Sequence, residues 1–214
     1  ECNRQHDPHT PQTVCAFCGE TLLAEYDVAA IAAAITKDEL AARAPGLWRY
    51  REFLPLGDGA AISDLGEGAT PMLPLRRLGR ALGMSRLWLK DEGANPTGTF
   101  KARGAAVGVA RAKELGLREL VIPTAGNAGS AWAAHAAAAG LRLHVIMPVE
   151  TPDPIKAECA AYGADVTEVR GVISDAGRIA AQRAAEHGWF DASTMREPYR
   201  VEGKKTMGFE IAEA

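Results

Sequence analysis

The feature that most constrains the fold is a regular alternation of strand-like and helix-like segments from residue 86 onward. The strand-like segments are RLWLK (86–90), ELVIP (119–123), RLHVIMP (142–148), DVTEV (165–169) and WFDAS (189–193). Helix-like segments lie between them at 100–116, 127–140, 153–163 and 174–188, and another begins at 203. Glycine ends the first four helices, and Ser174 is a candidate N-cap. This alternation predicts an α/β fold, a mostly parallel sheet with helices on both faces.

The segment before residue 86 has a different character. An alanine-rich segment at 28–44 predicts one helix, because Ile31 and Ile35 lie four residues apart. Proline and glycine in 44–59 and 65–75 predict loops. Parallel sheets bind ligands in loops at the carboxyl ends of strands, which here are the loops 93–101 and 123–127.

The first of these loops, NPTGTFKARG (95–104), places Lys101 at the start of a helix. The phosphate-loop pattern GxxxxGK[ST] is absent, because Thr99 and Phe100 separate Gly98 from the lysine. A lysine at a helix start is usually solvated. In a dry pocket, however, it can form a Schiff base with an aldehyde cofactor.

The second loop, PTAGNAG (123–129), follows an apolar strand and opens a helix. Backbone amides at a helix start bind anions, and Gly126 and Gly129 allow a ligand to approach the backbone closely. Asn127 adds a side-chain donor and acceptor. An amino-acid carboxylate would fit there, although an Asn-Gly turn is also a common structural element.

Together the two loops resemble fold type II (the β-family) of pyridoxal-phosphate enzymes. NPTGTFKARG resembles the NPTGSFKxRG segment of that family, and TAGNAG resembles its S/T-x-GN loop. The resemblance implies that Lys101 bonds to the cofactor aldehyde and later moves protons, that Phe100 packs near the cofactor ring, and that Asn127 binds the ring hydroxyl. It also implies a binding site for the substrate carboxylate at Thr124, Ala125, Gly126, Asn127 and Ala128.

Two further segments resemble those of threonine synthases within this family. LGEGATPM (65–72) is similar to their GEGxTPL, and EPYRVEGKKT (197–206) is similar to their NPxRxEGxKT. The resemblance implies conversion of O-phosphohomoserine and water to threonine and phosphate, with Arg200 binding the substrate phosphate. From the sequence alone, Arg200 is equally consistent with a surface residue.

Other residues point to different functions. Ala125 stands where such synthases usually have a hydroxyl residue, and FKARGA is similar to threonine or serine dehydratases, which form the second hypothesis. The third is a truncated, non-catalytic scaffold or zinc-binding module. The glycine-rich loop that holds the cofactor phosphate in this family does not occur within the 214 residues. We therefore expect an N-terminal fragment of a longer protein, which would bind the cofactor weakly on its own.

The resemblance also suggests a division of the chain into four parts. They are a zinc-ribbon-like segment (1–25), the first part of a large cofactor-binding domain (26–118), a small α/β domain (119–200) and a return to the large domain (201–214).

Three of the four cysteines lie in the first of these parts. Cys15-x-x-Cys18 followed by glycine is a zinc-knuckle pattern, and Cys2 is a candidate third ligand. The fourth ligand could be His6, His9 or a cysteine upstream of the sequence. The alternative is that Cys15 and Cys18 are a reduced pair of thiols, near a frayed terminus, that binds no metal.

Composition excludes several kinds of partner. The net charge is −3 without a basic block, which argues against nucleic acid, and no apolar run is long enough for a membrane span. The four cysteines do not form a disulfide framework, so we expect a reducing, cytoplasmic setting. The family resemblance suggests a homodimer acting on a small amino-acid substrate.

Overall fold

The computed structural model describes residues 2–214. Its helices are α1 (Val28–Ala34), α2 (Lys37–Ala42), α3 (Arg76–Ala81), α4 (Lys101–Glu114), α5 (Asn127–Ala139), α6 (Asp153–Ala161), α7 (Ile173–His187) and α8 (Tyr199–Glu213). Its strands are β1 (Met72–Pro74), β2 (Trp88–Lys90), β3 (Glu119–Pro123), β4 (Arg142–Pro148), β5 (Asp165–Val169) and β6 (Phe190–Asp191). Segments of 3₁₀ helix occupy Leu47–Phe53, Glu92–Ala94 and Pro96–Gly98.

Four strands form a parallel sheet in the order β5-β4-β3-β6. Leu120 of β3 pairs with Leu143 of β4 on one side and with Phe190 of β6 on the other. The predicted bounds of β3, β4 and β5 are confirmed. The predicted strand 189–193 is wrong in length, because only two residues pair with β3. Strands β1 and β2 form a separate antiparallel ribbon.

Helices cover both faces of the parallel sheet, as predicted. On one face, Leu120, Ile122 and Val145 pack against α4, α5 and α6 in the main core, which includes Trp132. On the other face, Val121, Ile146 and Val169 pack against Ala176 and Ala180 of α7. Successive side chains of a strand point to opposite faces of the sheet, so the strands contribute to two separate apolar layers. The result is a three-layer α/β/α arrangement.

The single helix predicted at 28–44 is wrong, because the chain forms two short helices with a break between them. Ile35 is extended, and Thr36 starts α2 as an N-cap. The Thr36 hydroxyl accepts a hydrogen bond from the Glu39 amide, while the Glu39 carboxylate accepts one from the Thr36 amide. This capping box competes successfully with continuation of α1.

Two predicted helix starts also differ. Helix α7 is capped at Val172, whose amide donates to the Asp175 carboxylate at 3.0 Å, so Ser174 lies inside the helix instead of capping it. Helix α8 begins at Tyr199 instead of residue 203, because the buried Glu197 carboxylate accepts from the amides of Tyr199 and Arg200. In both places an acidic side chain satisfies the free amides of a first turn.

Among residues 2–214, no helix combines the length and the apolar character that crossing a bilayer requires.

Candidate active site

A strained turn leads into α4. Thr97 in the turn Pro96–Gly98 has φ 58°, a conformation that is unusual for a β-branched residue, and Gly98 follows with φ 64°. The Thr97 hydroxyl oxygen is buried and has no hydrogen-bond partner among residues 2–214. Such strain persists only where the surrounding structure fixes it, and it is common at ligand-binding sites.

Lys101 is the first residue of α4 and is partly buried. Its ammonium nitrogen lies 4.6 Å from the centroid of the Phe100 ring. Within residues 2–214 it has neither an ion-pair nor a hydrogen-bond partner. Phe100 itself is 36% exposed. The site therefore presents a free amine beside an accessible aromatic face.

Arg103, two residues after Lys101, is the centre of a buried polar network. Its guanidinium binds both oxygens of Glu92, with both distances 2.7 Å, and both oxygens of Glu210, at 2.6 and 2.8 Å. It also donates to the hydroxyls of Thr206 and Thr70. Arg103 thus joins α4 to the loop before β1, to the turn after β2 and to α8.

The two carboxylates of this network remain charged. Burial raises the pKa of Glu210, but hydrogen bonds from Arg103 and Lys90 outweigh it and lower this pKa to about 2. The pKa of Glu92 is also lowered, because hydrogen bonds from Arg103 and Thr70 outweigh its burial. Each buried charge therefore has a bidentate or paired partner, which fixes the start of α4 against three other segments.

Asn95 extends this network towards the turn. Its side-chain oxygen accepts from the Gly68 amide at 3.0 Å, and its side-chain nitrogen donates to Glu92 at 2.9 Å. The segments 65–72 and 95–104 are therefore held in direct contact.

Glycine permits the close approach of α8 to α4. A Cβ atom at Gly104 would lie 2.8 Å from the Arg200 carbonyl oxygen and 3.3 Å from Cε of Lys204. A Cβ atom at Gly203 would clash with the Arg103 carbonyl oxygen. The two glycines therefore bring segment 199–206 beside Lys101.

The loop after β3 opens α5 as predicted. The Thr124 hydroxyl oxygen accepts from the Gly126 amide at 3.2 Å, and Asn127 is exposed at the first position of the helix. The amides of Ala125, Asn127 and Ala128 have no hydrogen-bond acceptor among residues 2–214. The turn Pro96–Gly98 contacts α5. The structure therefore brings this loop close to the Lys101 segment.

Arg200 is 3% exposed, so its interpretation as a surface residue is wrong. It forms an ion pair with Glu197, donates to the Thr194 hydroxyl at 2.9 Å and donates to the Ala192 carbonyl. Its guanidinium lies 5.1 Å from the ring of Trp132 in α5. Burial raises the pKa of Glu197 despite the partial compensation by Arg200. The predicted role of Arg200 in binding phosphate stays a prediction.

Sequence reasoning missed two residues near Lys101. Lys204 lies one helical turn after Arg200, and its ammonium is 5.5 Å from the Phe100 ring centroid. The spacing of four residues, which places both side chains on one face of a helix, was the signal that could have found it. The role of Arg103 was missed as well, because its partners are remote in sequence.

The N-terminal cysteines form a separate cluster. The sulfur atoms of Cys2, Cys15 and Cys18 all lie within 4.8 Å of one another. Hydrogen bonds from the amides of Phe17 and Cys18, with smaller contributions from the Cys18 and His6 side chains, outweigh burial and lower the pKa of Cys15 to about 6. His6 Nε2 is buried and has no hydrogen-bond partner among residues 2–214. This donor set suits zinc, which prefers thiolate and imidazole ligands.

The fold and the lysine site together define a class of enzyme. The family described as pyridoxal-phosphate dependent enzyme matches residues 63–214. The chain belongs to this family, whose cofactor is pyridoxal phosphate.

Curated relatives of the chain include several threonine synthases. The threonine synthase of Methanocaldococcus jannaschii is 37% identical over 214 residues, which are 100% of this chain and 52% of that protein. The threonine synthase of Halalkalibacterium halodurans is 41% identical over 169 residues, which are 78% of this chain and 47% of that protein. The chain thus spans about half the length of the curated relatives it matches.

Solved structures of similar fold include two racemases. Maize serine racemase has a TM-score of 0.62 and 23% identity, and the match covers 67% of this chain and 44% of that chain. A pyridoxal 5'-phosphate-dependent aspartate racemase has a TM-score of 0.62 and 27% identity, and the match covers 67% of this chain and 45% of that chain. The first likeness shows the fold alone.

Proposed function

We propose that this chain is part of a threonine synthase that converts O-phosphohomoserine and water to threonine and phosphate. The observation that carries the proposal is the alignment with the Methanocaldococcus jannaschii threonine synthase, which covers 214 residues at 37% identity. It includes the first 62 residues, which lie outside the match to the broader enzyme family, 63–214. The proposal is supported by Lys204 of the segment 197–206, whose ammonium lies 5.5 Å from the centroid of the Phe100 ring, the ring that Lys101 also contacts.

The residues around Lys101 fit pyridoxal phosphate. A partly buried amine without an ion-pair partner is suited to bond to an aldehyde, and the accessible face of Phe100 is suited to pack against a ring. Asn127 is exposed at the start of α5, where its side chain is available to the ring hydroxyl. When bound, the cofactor supplies an electron sink for negative charge at the substrate α carbon.

The remaining roles belong to the chain itself. Thr124 and the amides of residues 125–128 would bind and orient the substrate carboxylate, because these amides open a helix and three of them have no acceptor. Lys101 would hold the cofactor and move a proton at the substrate α and β carbons.

Arg200 would bind the substrate phosphate. Three of its nitrogens already donate to Glu197, Thr194 and Ala192, but a guanidinium has five N–H donors. The two that remain would donate to a phosphate, and the bonds already made hold the guanidinium in place.

A dehydratase is the second candidate function, and Ala125 favours it. This residue is exposed in the carboxylate loop and offers no hydroxyl. Two assays on the full-length protein separate the functions: phosphate release from O-phosphohomoserine, and 2-oxoacid formation from threonine or serine. We expect phosphate release. Oxoacid formation alone would make the protein a dehydratase, and neither activity in cofactor-loaded protein would favour a non-catalytic scaffold.

A pair of lysine variants tests the central residue. Lys101→Ala should abolish phosphate release, whereas Lys113→Ala, a change on the same helix away from its start, should leave it unchanged. Retained activity in the Lys101 variant would contradict the assignment.

We further propose a structural zinc site at Cys2, Cys15 and Cys18, with His6 as the fourth ligand. His6 lies beside the Cys15 thiol, whereas His9 is exposed. Zinc content per chain, measured on purified protein, should be close to one and should fall in Cys15→Ser and His6→Ala but not in His9→Ala. Full zinc content in His6→Ala would remove His6 from the ligand set.

We retain the proposed division of the chain at 25, 118 and 200, and a cytoplasmic, dimeric enzyme. The whole parallel sheet falls within 119–200, and α8 packs on α4, which supports a return of the chain to the first large unit after residue 200. All four cysteines are free, which suits a reducing compartment.

A further inference from the structure

A second amine shares the site of Lys101. The Lys204 ammonium lies 5.5 Å from the Phe100 ring centroid, and the Lys101 ammonium lies 4.6 Å from the same centroid. Gly104 allows this arrangement, because a Cβ atom there would lie only 3.3 Å from Cε of Lys204. Two ammonium groups therefore lie near the same partly exposed aromatic ring.

Neither ammonium group forms an ion pair with a carboxylate among residues 2–214. Lys204 has no ion-pair or hydrogen-bond partner among residues 2–214. The carboxylate that faces it, Glu197, is already bonded to Arg200. Burial lowers the pKa of Lys204, and the charges of Lys101 and Arg200 lower it further. Partly buried cations that share a site and have no carboxylate partner favour an anionic ligand.

The next residue along the helix gives a direct contrast. Lys205 donates to Glu202 and lies 3.7 Å from the ring centroid of Tyr26, so it has both a charge partner and an aromatic contact. Two adjacent lysines of α8 therefore have different surroundings. The charge of Lys205 is balanced by Glu202, whereas Lys204 has no such ion pair.

We propose that Lys204 is an anion-binding residue of the active site, which with Arg200 forms a subsite for a phosphate monoester. The identification of this phosphate as that of the substrate rests on the proposed function. The unpaired ammonium would supply a charge-assisted hydrogen bond to a phosphate oxygen, and the anion would in turn favour the protonated form of Lys204. Lys204 would then contribute to the preference for a phosphorylated substrate.

The test uses inorganic phosphate as the probe and the full-length protein, both without cofactor and loaded with it. Calorimetry should show that Lys204→Gln weakens phosphate binding by roughly tenfold, the effect of losing one hydrogen bond between charged groups. Lys205→Gln should bind phosphate like the unchanged protein. Equal phosphate affinity in Lys204→Gln and the unchanged protein, or equal losses in both variants, would overturn the proposal.

A second measurement avoids dependence on the folding of a variant. In the protein without substitutions, inorganic phosphate should slow the acetylation of Lys204 by acetic anhydride. The acetylation rate of Lys205 should stay the same, and mass spectrometry measures both rates. Absence of this protection would also overturn the proposal.

Two further comparisons show whether the subsite takes the phosphate of the substrate or that of the cofactor. Phosphate binding that persists in cofactor-loaded protein assigns the subsite to the substrate, whereas binding lost on loading assigns it to the cofactor phosphate and overturns the substrate assignment. If phosphate binds through Lys204 but O-phosphohomoserine releases no phosphate, the proposed function fails while the anion subsite stands.

Discussion

Replacing Arg103 with methionine should destabilise the protein strongly, because it leaves two buried carboxylates with fewer partners. The guanidinium is completely buried, and the side chains of Glu92 and Glu210 are only 14% and 8% exposed. Removing one member of such a buried pair costs about 3–5 kcal/mol. Lys90 still binds Glu210 at 2.6 Å, so Glu92 carries most of the loss, and we expect about 4 kcal/mol at neutral pH.

Urea denaturation followed by circular dichroism measures this loss. With a slope of about 2 kcal/mol per molar urea, the midpoint should fall by roughly 2 M. Adding Glu92→Gln to the Arg103→Met variant should recover part of the loss, because a neutral amide tolerates burial better than an unpaired carboxylate.

The control is Arg142→Met, which removes an exposed ion pair with Asp165 and should leave the midpoint unchanged. A loss below about 1 kcal/mol for Arg103→Met would mean that the network behaves like solvated surface pairs, and the reasoning would be refuted.

Two other variants test the packing and the buried titratable groups. Gly104→Ala should cost about 1–3 kcal/mol in urea denaturation, because the added Cβ atom would lie 2.8 Å from a carbonyl oxygen of α8. Gly177→Ala, where a Cβ atom meets nothing within 4 Å, should not destabilise, and equal losses would refute the close-packing argument. Burial lowers the pKa of His135 to about 4 although nearby Asp64 opposes it, so the unfolded chain binds a proton between pH 6.5 and 4 while the folded protein does not. Stability should therefore fall by about 3 kcal/mol on acidification through this window, and His135→Leu should reduce that fall; an unchanged pH profile would contradict the burial argument.

The sequence predicted the sheet better than the helix starts. Strands β3 and β4 are short apolar segments, and β3, β4 and β5 each begin within three residues after the glycine that ends a helix, so their limits are visible locally. The break at Thr36 depends on a capping box, which competes with the helical pattern of the flanking alanines. The start of α8 depends on Glu197, a glutamate acting as a cap from inside the fold.

Residues of the candidate site could be predicted only where a single short segment of sequence contains the whole pattern. Lys101 and the loop at Asn127 were predicted from local patterns that resemble a known family. The partners of Arg103 lie 11 and 107 residues away along the chain, so no local pattern contains them. Lys204 was missed because its position follows from the close packing of α8 on α4, which local patterns do not report.

The most direct test of the central claim is to locate the cofactor-bonding lysine. Full-length protein loaded with pyridoxal phosphate would be reduced with borohydride, digested and mapped by mass spectrometry. The assignment of Lys101 to the cofactor predicts a pyridoxyl label on Lys101 and none on Lys204 or Lys205. A label on another lysine, or no label in protein that retains the cofactor, would contradict it.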